Sequence, residues 1–172
     1  SHLNNTDASN IYTYNPTLRL TGDGMTVTDG YSGKTYIFAG GVEGGGNFTY
    51  GITTSASNQT YVFTGDVSEW YGAFQARGDG KTSTLKFYGD ATEVGANIEL
   101  NAGTLNLVVG NGEDEFATVF NGAVTASSIT VKTDASATFN ELHITSAINN
   151  SGTVIFNEGF EVSGFQEAAS EE

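Results

Sequence analysis

Thr60-Tyr61-Val62-Phe63-Thr64-Gly65 and Thr84-Leu85-Lys86-Phe87-Tyr88-Gly89 share one pattern. Thr35-Tyr36-Ile37-Phe38-Ala39-Gly40 carries it one interval earlier. Each copy alternates apolar and polar residues and ends on glycine. Alternation of period two marks a half-buried strand, and glycine marks the turn that ends it. A strand that recurs at a fixed period in the twenties is the signature of a solenoid, because a single coil cannot bury its own apolar face.

Two strand columns follow outward from this stretch. The first holds Tyr36/Phe38, Tyr61/Phe63 and Leu85/Phe87. The second, half a period away, holds Phe48/Tyr50, Phe74/Ala76 and Ile98/Leu100. Residues two apart share a face, so each pair is expected to stack on its equivalent one coil away. After residue 100 the rhythm tightens, and Thr104-Leu105-Asn106-Leu107, Ser128-Ile129-Thr130-Val131 and Thr153-Val154-Ile155-Phe156 recur at spacings of 24 and 25. Between them lie Ala117–Phe120, Ala137–Phe139 and Leu142–Ile144. Phe120-Asn121, Phe139-Asn140 and Phe156-Asn157 repeat near turns; either their amides ladder or Asn simply suits the turn.

The spacing predicts an all-β fold, a β-solenoid of roughly seven coils. With ~4.8 Å between rungs the rod would be about 30 Å long. Alternating short strands alone also permit a β-sandwich. Residues 1–20 read as an entry or capping segment, 21–163 as the single β-helix domain and 164–172 as a polar, acidic tail. The first regular strand is expected at Thr26-Val27-Thr28, before Asp29-Gly30.

Composition agrees. Among 172 residues there are 23 Gly and a single Pro, a profile of many short strands and glycine turns. No window shows sustained helical periodicity. The net charge of −14 opposes nucleic acid and anionic membrane as partners. Without Cys there is neither a disulfide framework nor a thiolate metal site. No apolar run approaches a membrane-spanning helix, so membrane insertion is not expected. Charge and aromaticity are segregated: all eight Tyr and the single Trp lie between residues 12 and 88, whereas from Phe87 onward thirteen acids face Lys132 alone.

Phe63-Thr64-Gly65-Asp66-Val67-Ser68-Glu69-Trp70-Tyr71-Gly72-Ala73-Phe74, followed by Gly80 and Thr84-Leu85-Lys86-Phe87, resembles the autotransporter-associated β-strand repeat. Ala102-Gly103-Thr104-Leu105-Asn106-Leu107 is similar to a further Gly-Thr-Leu element of that family. The likeness covers about 65–110; residues 111–172 lack a second Gly-Asp-x-Ser copy. The resemblance implies the passenger region of a type V secreted protein at a Gram-negative cell surface, with a right-handed parallel β-helix. It carries no shared catalytic residues and no cofactor.

The residues themselves offer few reactive constellations, and none that amounts to an active site, so no enzyme is expected. Glu113-Asp114-Glu115 are consecutive, so their side chains diverge, leaving a solvated loop with at most weak Ca²⁺ binding. Hydrolysis of a polysaccharide, the enzymatic alternative, needs two carboxylates facing one sugar. His143 alternates with Leu142 and Ile144 and should point away from the core. Ser68 reads as a turn residue and Gly44-Gly45-Gly46 as a turn without the lysine of a phosphate loop. Trp70-Tyr71 differs: adjacent strand residues face opposite ways, so one of the two is expected in solvent, and Trp70 either joins it or plugs the end of a column. The expected contact set is Trp70, Tyr71, Tyr50 and Tyr88, suited to stacking on a neutral glycan or a protein surface of a host or neighbouring cell. The function expected is that of a noncatalytic adhesin or stalk; a carbohydrate-binding β-sandwich is the other alternative.

Overall fold

The computed structural model describes residues 2–3, 10–27, 33–50, 58–157 and 160–162. Asp29-Gly30 and the tail 164–172 lie outside them. Every pairing between named strands is parallel, there is no helix among the described residues, and the strands stack as a right-handed β-solenoid of about six turns. The sandwich alternative is thereby excluded, since it requires antiparallel sheets.

Each coil runs round three faces. The first face stacks Ile11–Tyr14, Lys34–Phe38, Gln59–Phe63, Thr82–Phe87 and Thr104–Val109, then 128–131 and 147–150 of two long strands. The second face is narrow, beginning with Leu18–Arg19 on Val42–Glu43 and continuing through a Val67–Val94 bridge. It widens at 116–120, 135–139 and Thr153–Phe156. The third face stacks Met25–Val27, Phe48–Tyr50, Ala73–Ala76 and Asn97–Leu100, then 123–126 and 141–144. Residues 11–20 therefore already form part of an end rung: Ile11–Tyr14 pairs with Thr35–Phe38, and Leu20 is buried.

Alternation puts one row of each strand inside. Tyr14, Phe38, Phe63 and Phe87 stack with centroids 5.4, 5.2 and 5.0 Å apart. Phe48 stacks on Phe74 at 5.4 Å and meets Phe38 edge-on at 86°. Offset stacks within a face and edge contacts between faces are the arrangements that ring quadrupoles favour. Both expected columns are present: Tyr61 is opposite Tyr36 and Leu85, and Phe74 opposite Phe48 and Ile98.

The strands that recur after residue 100 do not share one column. Ile129 lies opposite Leu107, not Leu105, and Thr153–Phe156 lies beneath Ser136–Phe139 on the second face. The coils shrink along the rod. Ile11 pairs with Thr35 and Lys34 with Gln59 at the wide end, whereas Asn106 pairs with Ser128, Phe116 with Ala135 and Ser136 with Thr153 at shorter steps. Shorter corners cause this. Phe116–Val131 and Ala135–Asn150 turn two corners each without leaving strand geometry, through register shifts between Phe120/Ala123 and Ala126/Ser128.

Candidate functional site

Residues 65–72 cross the narrow second face and turn the corner into the third. The Asp66 carboxylate accepts the Ser68 backbone N–H at 2.9 Å, closing an Asx turn. Hydrogen bonds from the Ser68 backbone and hydroxyl hold the Asp66 carboxyl below its usual range. Ser68 is thus the turn residue anticipated. Val67 and Trp70 then point inward and are fully buried. The Trp70 ring lies tilted against Phe63 at 5.8 Å, and its Nε1–H donates to the Gly46 carbonyl at 3.0 Å.

Tyr71 takes the opposite side. It is 65% exposed, and its hydroxyl donates to the Glu69 carboxylate. That bond raises the phenol pKa, since losing the proton would lose the bond and put two anions side by side. The other aromatics divide in the same way. Tyr50 is buried, edge-on to Tyr61 at 5.7 Å, whereas Tyr88 is half-buried at the end of a first-face strand. The expected contact set is therefore corrected: Trp70 and Tyr50 are core, because their rings complete inner columns. The accessible pair, Tyr71 and Tyr88, sits on different edges of the rod.

Glu113, Asp114 and Glu115 are all exposed. Their loop is organised by Asn111, whose carbonyl oxygen accepts the N–H groups of Glu113 and Asp114 at 3.0 Å and whose amide donates to the Asp114 carboxylate at 2.8 Å. Asp114 is thus already engaged in the loop's own turn, and no group of three potential metal ligands occurs among the described residues. His143 does face away from Leu142 and Ile144, half-buried on the outer side of the third face. Gly44-Gly45-Gly46 is a packed corner: a Cβ on Gly44 would stand 2.2 Å from the Leu20 carbonyl oxygen.

No family model, characterised protein or solved structure matches the chain.

The accessible surface also holds a feature that the sequence reading missed. Ile37, Val62, Lys86 and Val108 are successive register partners on the outer side of the first face. Together with Tyr88 and Lys132 they line a groove of ≈ 370 Å³. No acidic side chain lines it, in a chain with twenty acids. The signal was present as Lys86 and Lys132 at outward positions, but the sequence alone does not show that their coils stack on one face two rungs apart. An adjoining hollow shares Tyr88 and Asn111 with the groove and adds Asp114 and Glu115.

Proposed function

We propose that this chain is a noncatalytic part of a surface-displayed passenger, an autotransporter-type rod at a bacterial outer membrane that serves as adhesin or stalk. The observation that carries the reading is the unbroken interior, where aromatic and aliphatic side chains stack on every rung from Tyr12 to Phe156. Such a core makes a continuous rod whose outer surface is held at a fixed distance from its attachment. The resemblance of residues 65–110 to passenger repeats supports the same reading, and a cysteine-free chain suits passage through a pore in unfolded form. Each coil rests mainly on its neighbours, so the chain is able to fold progressively as it emerges.

Antibodies raised against the chain should label intact cells that produce it, and external protease should remove the label. Incubated with polysaccharides or mucin glycoproteins, the purified protein should leave chain lengths unchanged. Labelling only after lysis would overturn the surface assignment. Turnover abolished by replacing one acidic residue would overturn the noncatalytic one.

A further inference from the structure

We infer that the first-face groove binds a linear acidic polysaccharide with carboxylates on alternate sugars. The inference deepens the surface-rod reading and relies on it only for where the ligand is met. Three observations point this way. The first is charge: two of the chain's six basic residues line one groove from which acids are absent, against a net charge of −14. The single salt bridge among the described residues joins Arg19 to Glu43, so neither Lys86 nor Lys132 is committed to a carboxylate there. Local cation pairs in an anionic molecule attract ligands that the molecule as a whole repels, because salt screens the distant acids more than the near lysines.

The second is surface chemistry. The half-buried Ile37 and Val108 form an apolar floor over the buried Val62, and the half-buried Lys86 stem runs between Val62 and Val108 on the neighbouring rungs. Tyr88 stands at the groove's side with its ring partly open. Apolar floor, aromatic ring and ammonium together match the C–H face and carboxylate of a hexuronate.

The third is spacing. Lys86 pairs with Val108 and Val108 with Thr130, so Lys132 stands two rungs further along the rod and two positions further along the strand. The steps of about 10 Å along the axis and about 7 Å across it put the two Cα atoms roughly 12 Å apart. Two ammonium groups on flexible stems at that separation suit carboxylates on alternate sugars. The groove also runs across the rungs, from Ile37 to Lys132, as a chain ligand requires. Beyond Tyr88 the hollow with Asp114 and Glu115 bounds the site on its acidic side.

The test uses an octasaccharide of alternating glucuronate and N-acetylglucosamine, its carboxyl-reduced form and an octaglutamate peptide. Titration by calorimetry and methyl NMR should show binding of the acidic sugar that weakens with salt and shifts the Ile37, Val62 and Val108 methyl signals. K86Q/K132Q, with both changes at accessible positions, should bind roughly tenfold more weakly at an unchanged melting temperature. The carboxyl-reduced sugar should bind no better to the parent chain than to that variant. D114N/E115Q should bind the acidic sugar a few-fold more tightly. Absence of binding, equal binding by K86Q/K132Q, or equal binding of the carboxyl-reduced sugar overturns the proposal. Lysine-dependent binding of octaglutamate as tight as that of the sugar overturns the glycan assignment. Cleavage of the octasaccharide would overturn the noncatalytic reading while leaving the binding site standing, and failed binding would leave surface labelling of cells untouched.

Discussion

The indole Nε1–H of Trp70 donates to the carbonyl of Gly46, 3.0 Å away, tying one corner to the corner of the neighbouring coil. Gly72 permits this closeness, since a Cβ there would stand 2.1 Å from the Gly46 oxygen and 3.1 Å from Nε1. Trp70 is therefore a clasp between coils as well as a core residue. Trp70→Phe should cost about 1–3 kcal/mol through the orphaned carbonyl, with a cavity term added. Being the single Trp, it also reports its own position by fluorescence. Blue-shifted emission with weak quenching by acrylamide is expected; emission typical of water would contradict the buried placement.

Phe63 is central to the longest aromatic stack, 5.2 Å from Phe38 and 5.0 Å from Phe87. Phe63→Ala should destabilise by about 3–5 kcal/mol in urea unfolding, as a core cavity does. Tyr71→Ala, at a 65% exposed side chain, should stay within about 0.5 kcal/mol of the parent. Similar losses from the two would contradict the inward and outward assignment.

How much of this was legible beforehand depends on side-chain size and coil length. Tyr36, Tyr61, Phe48 and Phe74 announced the two broad faces because large residues recur at an even period. The second face escaped notice because it begins as Leu18–Arg19 on Val42–Glu43 and a single Val67–Val94 bridge, too short for alternation to show. Past Leu100 the coils contract, and alignment at the period of the early coils slips by two positions. Such a slip keeps every apolar residue inside, since alternation has period two, so hydrophobic pattern alone does not detect it. Likewise, alternation required one of Trp70 and Tyr71 to be inside without saying which; the Gly46 carbonyl decided it. One Asn–Asn rung does form, with the Asn157 amide donating to Asn140 at 3.0 Å.

Gly41 and Gly80 both have positive φ, at 82° and 65°, but differ in surroundings. A Cβ on Gly41 would stand 2.0 Å from the Asp66 carbonyl oxygen, whereas one on Gly80 meets nothing within 4 Å. Gly80→Ala should therefore cost only the left-handed strain, about 1 kcal/mol. Gly41→Ala should cost about 1–3 kcal/mol more, because backbone must move. Equal effects would mean that the corners are looser than the stacked carbonyls imply.

Asp66 gives a pH dependence with a definite sign. Its carboxyl is held below the ordinary value of 3.8 by bonds from Ser68 that the unfolded chain lacks. The contribution to stability is then complete above pH 3.8 and fades as pH falls through the lower folded value. Asp66→Asn, which keeps an acceptor oxygen but does not titrate, should lose less stability than the parent over that acid range. The effect is small, since the group is well exposed to solvent. A carbon-detected NMR titration that puts the Asp66 midpoint above 3.8 would refute the cause given.

The contracted register is open to a direct chemical test because the chain has no cysteine. Asn106 and Ser128 are register partners whose side chains hydrogen-bond at 2.8 Å on the outer side of the first face. Neighbouring rungs lie about 4.8 Å apart, within the Cα separation that a disulfide spans. The double variant Asn106→Cys/Ser128→Cys should oxidise readily, seen as loss of free thiols and of two hydrogens in mass, and should melt at a higher temperature than its reduced form. An even spacing at the period of the early coils would instead pair Thr104 with Ser128. In the folded rod those two are offset by two positions along the strand as well as by one rung. Their Cα atoms are then roughly 8 Å apart, beyond disulfide reach. Thr104→Cys/Ser128→Cys should accordingly keep both thiols under the same mild oxidant. Ready closure of the second pair and not of the first would restore the even period and set Lys132 opposite Val108, in direct line with Lys86, so that the two lysines would lose their offset along the strand.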